Sequence, residues 1–284
     1  MSSGADLKNT VGWHRVDIPE GGGSVTFRLA SWANFFDFLE TEVFRASGRS
    51  KQDYVWRGQR RKDWSLSSSL DRLFQKLNLA GEGPSLLEDR SQRHLDAFKY
   101  ATRGRRGPNR DTLLLDNDWD NDWWALGQHF GLATPLLDWT RSPFAAAYFA
   151  FEELAADPTD HRVVYGLDRS AVQQKNQELT ESVSIERGRP PTLEFVESMT
   201  DENQRLVSQG GLFTRAPIFK PVEQWVAQAF ETSGEPILLR IEIPDADRLV
   251  SLRALNRMNI NHLSLFPDLT GASRATNLKL ECDL

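Results

Sequence analysis

The sequence predicts an α+β fold, a single elaborated domain in which helices surround a mixed or antiparallel sheet core. Short apolar strands alternate irregularly with helices, whereas a doubly wound parallel sheet would show regular strand–helix units. No internal repeat and no linker divides the 284 residues. Residues 1–24 are polar and rich in glycine, so we expect them to be loosely held beside a domain that spans residues 25–284.

The first predicted element is a strand at residues 25–29, where apolar and polar residues alternate. Ser31 is a helix N-cap, and apolar residues then recur at helical spacing as far as Gly48. A short β-rich run at 54–56 ends abruptly at residues 57–59. The remaining pattern predicts helices near 70–77, 85–102, 171–178, 221–231, 245–258 and 261–265, and strands at 136–138, 163–167, 211–213 and 237–243.

One further helix has a distinct composition. Ser142 followed by Pro143 is a good helix start, and small and aromatic residues then continue to Phe151. We expect this helix to be buried, because its alanines allow a close approach to the sheet.

The composition is that of a soluble globular protein, with 39% hydrophobic and 26% charged residues. The net charge of −6 does not attract phosphate backbones, so a nucleic-acid contact would need a local basic patch. Cys282 is the only cysteine, which excludes an intrachain disulfide and favours a reducing compartment. Because we find neither a membrane-spanning apolar stretch nor a signal-peptide core, we expect a cytoplasmic protein.

Two dense motifs resemble the signatures of the FRG-domain family. The first consists of residues 56–59, with 64–66 and 70–72, and the second of residues 128–134 followed by 136–140. Pro135 stands where family members typically carry an arginine. Residues 205–213 and 265–271 are weaker matches, so the resemblance extends from about residue 30 to 275 and makes residues 25–284 the expected FRG domain.

A second resemblance is to ADP-ribosyltransferases, which hold NAD with an arginine or histidine at the end of a first core strand. Arg57 occupies that place, and Thr140 with Ser142 forms a hydroxyl-bearing turn ahead of an alanine-rich helix. The resemblance implies an ADP-ribosyltransferase-like fold and NAD as co-substrate. Near the expected catalytic glutamate stand Gln204 and Arg205, so the carboxylate is unassigned. The candidates are Glu202, then Glu194 and Glu197, then Asp138.

Several residues of these motifs could form a site. Arg57 suits a phosphate clamp, because its guanidinium binds two oxygens at once, or it pairs with a carboxylate such as Asp138. Gly58 permits a tight turn or the close approach of a ligand. His129, beside Gln128, is an acid–base or ribose-binding group, or a hydrogen-bonded core residue.

The second motif adds further candidates. Asp138 on an apolar strand needs a cationic partner if it is buried, and Arg57 or Arg72 could supply it. The ring of Trp139, like that of Phe130, either stacks on nicotinamide or adenine or fills the core. Gln209 precedes two glycines that bring backbone N–H groups near a ligand or simply form a β-bulge or a hairpin. We expect one concave site that includes Arg57, Gln59, Gln128, His129, Asp138 and Thr140.

These observations leave two functions open. The first is an ADP-ribosyltransferase-like enzyme. Its expected catalytic residues are Arg57, His129, Thr140 and Glu202, and its expected NAD-binding residues are Arg57, Gly58, Gln59, Gln128, Asp138, Trp139 and Gln209. Such an enzyme would modify RNA, DNA or protein, as a bacterial toxin or phage-defence effector. The basic runs at 60–62 or 103–110 would guide a nucleic acid to it, and an antitoxin or chaperone would restrain it. The alternative is a non-catalytic module that binds a nucleotide or a protein in the same cleft. No metal is expected, because no ligand spacing is present.

Overall fold

The computed structural model describes residues 12–16, 22–45, 53–103, 120–154, 159–182, 191–197 and 208–282. These residues form one eight-stranded sheet in the order β1-β2-β8-β5-β3-β4-β7-β6. All neighbouring strands are antiparallel except β2 and β8, which are parallel. The predicted single α+β domain with a mixed sheet is therefore confirmed. The strands are β1 Trp13–Val16, β2 Ser24–Leu29, β3 Tyr54–Gln59, β4 Leu136–Thr140, β5 His161–Asp168, β6 Glu194–Val196, β7 Gly211–Arg215 and β8 Leu238–Pro244.

Helices pack on both faces of this sheet. Neighbouring residues of β5 show this, because Val164 belongs to the core beneath one set of helices and Val163 to the core beneath the other. The α-helices of the described residues are α1 Phe35–Phe38, α2 Ser69–Lys76, α3 Pro84–Ala101, α4 Asp120–His129, α5 Pro143–Phe151, α6 Arg169–Ser182, α7 Val222–Ala229, α8 Arg248–Arg257, α9 His262–Leu265 and α10 Leu269–Cys282. A π-helical segment, Leu39–Phe44, follows α1, and 3-10 turns lie at Trp32–Asn34 and Asp245–Asp247.

Most predicted elements are present, with a few differences. Strand β1 lies inside the segment 1–24, because Trp13 pairs with Leu29 and its ring packs edge-on against Phe38. Strand β3 continues through Gln59, since its pairing with β5 does not stop at residue 56, so Arg57 lies within the strand and not after it. Strand β6 and helix α10 were not predicted from the pattern.

Helix α5 confirms the predicted buried helix, and Gly58 explains how closely it approaches the sheet. Ala146, Ala147 and Ala150 are fully buried, and the side chain of Ser142 accepts a hydrogen bond from the N–H of Ala145 as N-cap. A Cβ atom on Gly58 would lie 1.9 Å from the carbonyl oxygen of Ala146. At Gly58 we expected either a tight turn or the close approach of a ligand. The structure instead shows that the missing side chain makes room for the backbone of α5.

The sheet splits between β3 and β4. β3 pairs with β5 over six residues, but it meets β4 only at Trp56 and Thr140. β4 in turn pairs with β7 over its whole length. Beyond the single bridge the two strands separate, and the side chain of Arg57 spans the gap by donating a hydrogen bond from Nη1 to the carbonyl oxygen of Asp138 at 2.7 Å.

Candidate functional site

A cleft of about 780 Å³ opens at this split and is bordered by β3, β4, α2, α5 and adjoining loops. Its size is within the range of small-molecule sites. The residues of the two main motifs that border it are Trp56, Arg57, Gly58, Gln59, Trp64, Ser65, Arg72, Asp138, Trp139 and Thr140. The weaker matches contribute Gln209 and Phe266, and the other residues at the wall are Arg60, Asp63, Gln75, Phe149 and Glu152. The two main motifs, more than 50 positions apart, therefore meet at one concave surface.

Arg57 is the central cation of the cleft. Its Nη1 lies 3.6 Å from Oδ2 of Asp138, which confirms the predicted pairing of these two residues. Asp138 is not buried, however, because 62% of its side chain is exposed at the cleft. Burial lowers the pKa of Arg57, the charge of Asp138 raises it and the nearby charge of Arg72 lowers it again. The structure thus brings two guanidinium groups close enough to repel each other.

Arg72 is a second cation at the cleft, and the carboxylate of the neighbouring Asp71 interacts with its charge. It is exposed on α2, and its Nη1 donates to the carbonyl oxygen of Ser67 at 2.6 Å. Among the residues that the structure describes, no carboxylate forms an ion pair with Arg72. Two neighbouring cations at the edge of a cleft favour an anion between them, because bound negative charge removes their repulsion.

Buried polar atoms at the cleft are left without partners. Gln59 is 6% exposed, and its Nε2 donates to the carbonyl oxygen of Ser65, but its Oε1 has no hydrogen-bond partner within the described residues. The Nε of Arg57 is buried and unpaired in the same way. Because an unpaired buried polar atom costs about 1–3 kcal/mol, these atoms suit a ligand that completes their hydrogen bonds.

Thr140 begins the turn from β4 into α5, and Gln209, just before β7, contacts it. The hydroxyl of Thr140 donates to the carbonyl oxygen of Gln209 at 2.5 Å and accepts from the N–H of Ser142 at 3.1 Å. The side chain of Gln209 donates to the carbonyl oxygen of Leu265. Gly210 has a positive φ of 55°, and it lies between the helical residues 208–209 and β7, so it ends a helix and does not form a hairpin. Backbone groups therefore engage the hydroxyl that we expected to be catalytic.

Trp139 packs as a core residue. Its side chain is almost fully buried, and its Nε1 donates to Oγ1 of Thr214 at 2.8 Å. The ring fills the core beneath β4 and β7, so the stacking role that we expected of it is not available in this arrangement. Phe130 is 73% exposed and is not among the residues that border the cleft.

Gln128 and His129 do not border the cleft. Gln128 donates from Nε2 to Oδ1 of Asp138 at 2.7 Å and accepts a hydrogen bond from the hydroxyl of Thr134. Asp138 is thus held between Arg57 and Gln128. His129, at the end of α4, is half-buried and its ring contacts that of Phe130. Of the six residues that we expected at one site, Arg57, Gln59, Asp138 and Thr140 border the cleft. Gln128 is connected to it through Asp138, and His129 is not at the cleft.

Of the four candidate carboxylates, the structure describes three. Glu202 lies outside the described residues. Glu197 is held by two cations, Arg141 at 3.1 Å and Arg169 at 2.7 Å, and does not border the cleft. Glu194 lies in β6 at the edge of the sheet, also away from the cleft. Of the three described candidates, only Asp138 borders the cleft.

The sequence analysis did not single out one carboxyl group that borders the cleft. Glu152 follows α5 directly, borders the cleft and has a side chain only 14% exposed. Burial raises its pKa to about 7. Its Oε2 lies 3.3 Å from Nε2 of His262, whose pKa burial lowers to about 4. The one feature of the sequence that could have pointed to Glu152 is its position directly after the alanine-rich helix α5.

This pair predicts a specific dependence of stability on pH. Between pH 4.5 and 7 the folded state binds more protons at Glu152 than the unfolded chain, so stability falls as the pH rises. Between pH 4 and 6.5 the folded state binds fewer protons at His262, so stability rises with pH. The two trends oppose each other in the wild type. We expect the stability of Glu152→Gln to rise with pH and that of His262→Phe to fall with pH, because each variant keeps only one of the two groups. Urea unfolding at half-unit pH steps measures both trends. Parallel pH curves for all three proteins would contradict the assignment.

The first of the two basic runs proposed to guide a nucleic acid is paired with acids. Arg60 pairs with Glu153, Arg61 with Asp63 and Lys62 with Asp160. Of the second run, residues 104–110 lie outside the described residues. Within the described part of the chain, no group of three or more His, Cys, Asp or Glu residues is arranged to hold a metal ion. No described helix combines the length and the apolar character needed to cross a membrane.

These features define an α+β protein with a split mixed sheet and a polar, aromatic-walled cleft at the split. Residues 52–159 match the family model described as FRG domain, so this part of the chain is an FRG domain. The match includes β3, α2, β4 and α5, which supply most of the cleft. No curated protein and no solved structure matches the chain.

Proposed function

We propose that the cleft binds NAD and that the protein transfers ADP-ribose from NAD to a macromolecule on an ADP-ribosyltransferase-like fold. The observation that carries this proposal is the pair of neighbouring guanidinium groups, Arg57 and Arg72, at a cleft of dinucleotide size. A pyrophosphate has the charge and the paired oxygens that two such groups bind.

The rest of the cleft suits the same ligand. The rings of Trp64, Phe149 and Phe266 border it and offer apolar surface for adenine or nicotinamide. The unpaired Oε1 of Gln59 is an acceptor for a ribose hydroxyl or for the nicotinamide amide N–H. The residues present therefore fit a dinucleotide. Nicotinamide leaves from a ribose carbon that becomes cationic, and carboxylates at the cleft, such as Asp138, stabilise that charge.

A second candidate function is binding of a nucleotide or a protein without transfer. The position of Glu194 and Glu197 away from the cleft favours it, because the resemblance to ADP-ribosyltransferases requires a carboxylate from this part of the chain. The two functions share the cleft and differ in whether nicotinamide is released.

The experiment is incubation of the purified protein with NAD labelled in its adenosine portion. Nicotinamide release and label transfer are measured with cell RNA, DNA or lysate protein as acceptor. We expect Arg57→Ala to weaken NAD binding at least about tenfold, because a charge-assisted hydrogen bond contributes about 1.5–3 kcal/mol. Arg257→Ala, which removes an exposed arginine at the end of α8, is the matched control. Binding without release supports the second function, and no binding at all overturns both.

A further inference from the structure

We propose that Glu152 is the carboxyl group that accepts a proton in the cleft, and that His262 and Tyr148 position it. The proposal rests on the proposed ADP-ribosyl transfer and supplies a carboxylate at the cleft, which neither Glu194 nor Glu197 borders. Glu152 lies where the cleft meets a second, smaller cavity of about 280 Å³, and it borders both.

The three side chains form a buried chain of polar contacts. The hydroxyl of Tyr148 is hydrogen-bonded to Nδ1 of His262, and Nε2 of the same ring faces Oε2 of Glu152 at 3.3 Å. The ring of Phe266 stacks on His262 at 4.9 Å between centroids and so fixes its plane. Helices α5 and α9, which are more than a hundred residues apart, therefore bring the carboxyl group and the imidazole into contact.

The tautomer of His262 follows from Tyr148. Burial raises the pKa of the Tyr148 hydroxyl, so this group keeps its proton and donates it to Nδ1. A neutral imidazole that accepts at Nδ1 carries its own proton on Nε2. Nε2 lies 3.3 Å from Oε2 of Glu152, and neither atom has a hydrogen-bond partner among the described residues. Within this proposal, Nε2–H donates to Oε2 when Glu152 ionises and stabilises the carboxylate.

Charges on every side bear on Glu152. Arg60 beside β3 and Arg274 on α10 favour its ionised form, whereas burial opposes it. Two further acidic residues, Glu153 and Glu281, border the smaller cavity. Arg248 donates a hydrogen bond to the backbone oxygen of Glu152 at 2.8 Å. The group is thus poised between its two protonation states near neutral pH, which is the range in which a general base is most effective.

In the proposed transfer, the bond between C1′ of the ribose and the nicotinamide nitrogen breaks, and its electron pair leaves with neutral nicotinamide. An oxygen or nitrogen atom of the acceptor forms the new bond to C1′. The proton that this atom loses passes to the carboxylate of Glu152, which becomes a neutral carboxyl group.

The first test compares Glu152→Gln with Glu178→Gln, which removes an exposed carboxylate on α6. Transfer from NAD to the acceptor is measured together with the binding of ADP-ribose by calorimetry. We expect Glu152→Gln to slow transfer by about 100-fold or more, while ADP-ribose binding changes by less than about threefold. Glu178→Gln should keep the wild-type rate.

The second test addresses positioning by His262. Transfer that needs ionised Glu152 rises with pH through about 7. His262→Phe removes the Nε2 proton, so the pKa of Glu152 rises and the rising limb moves to higher pH. His262→Gln places an N–H near the same point and should restore the limb toward its wild-type position. Such a shift separates positioning from a merely structural role.

The outcomes distinguish this inference from the proposed function. Wild-type transfer that survives Glu152→Gln overturns the role of Glu152 and leaves the proposed function in place. Joint loss of transfer and ADP-ribose binding assigns Glu152 to binding and overturns its role as a base. A wild-type protein that neither binds nor consumes NAD overturns the proposed function first, and the inference with it.

Discussion

Gly58→Ala is expected to lower the free energy of unfolding by about 3 kcal/mol, the upper part of the range for overpacked cores. The added Cβ would lie 1.9 Å from the carbonyl oxygen of Ala146 and 2.6 Å from the backbone N of Ala150. Both neighbours are backbone atoms of fully buried alanines, so no side chain can rotate away. Either β3 or α5 must shift as a unit.

Urea unfolding of Gly58→Ala measures this effect, and Gly81→Ala is its control. A Cβ on Gly81 meets nothing within 4 Å, so this variant should unfold at nearly the wild-type midpoint. Because α5 carries Phe149 into the cleft and leads to Glu152, the displaced helix should also weaken ligand binding there. A midpoint for Gly58→Ala equal to that of Gly81→Ala would refute the close helix–strand contact.

The predictable part of the fold is the part encoded in local patterns. Helix α5 is specified by the N-cap Ser142, by Pro143 and by a continuous run of small and aromatic residues. Its burial follows from that composition, since no polar face remains to meet water. Strand β1 escaped prediction because four residues give little periodicity, and its place depends on the distant pairing of Trp13 with Leu29.

The site was predictable only where its residues belong to the motifs. Arg57 and Asp138 stand out as polar residues within apolar strands, and their pairing follows once those strands are neighbours. Glu152 and His262 carry no such mark, because their contact depends on how α5 and α9 pack. The split between β3 and β4 is likewise a tertiary feature, since the sequence of either strand is compatible with a complete ladder.

The end of α5 provides the second large effect. Four consecutive carbonyl groups, of residues 150 to 153, accept hydrogen bonds from two arginines. Arg162 donates to Ala150 and Glu153 at 2.9 Å each, and Arg248 donates to the two carbonyls between them at 2.8 Å. Both arginines are buried, with relative exposures of 1% and 7%. They satisfy the carbonyl groups that the last turn of a helix leaves unpaired and place positive charge at its negative end.

Arg162→Met is therefore expected to lower the free energy of unfolding by about 3–5 kcal/mol, as for other buried ion pairs that lose one partner. The substitution keeps an unbranched apolar side chain, but it leaves the carbonyls of Ala150 and Glu153 unpaired and the carboxylate of Asp245 without its partner. Urea unfolding compares it with Arg257→Met, which removes an exposed arginine of α8 and should change stability by less than about 0.5 kcal/mol. If both variants unfold at the wild-type midpoint, the arginine cap does not stabilise α5, and the rigid placement of Glu152 must then come from His262 and the strand beneath the helix.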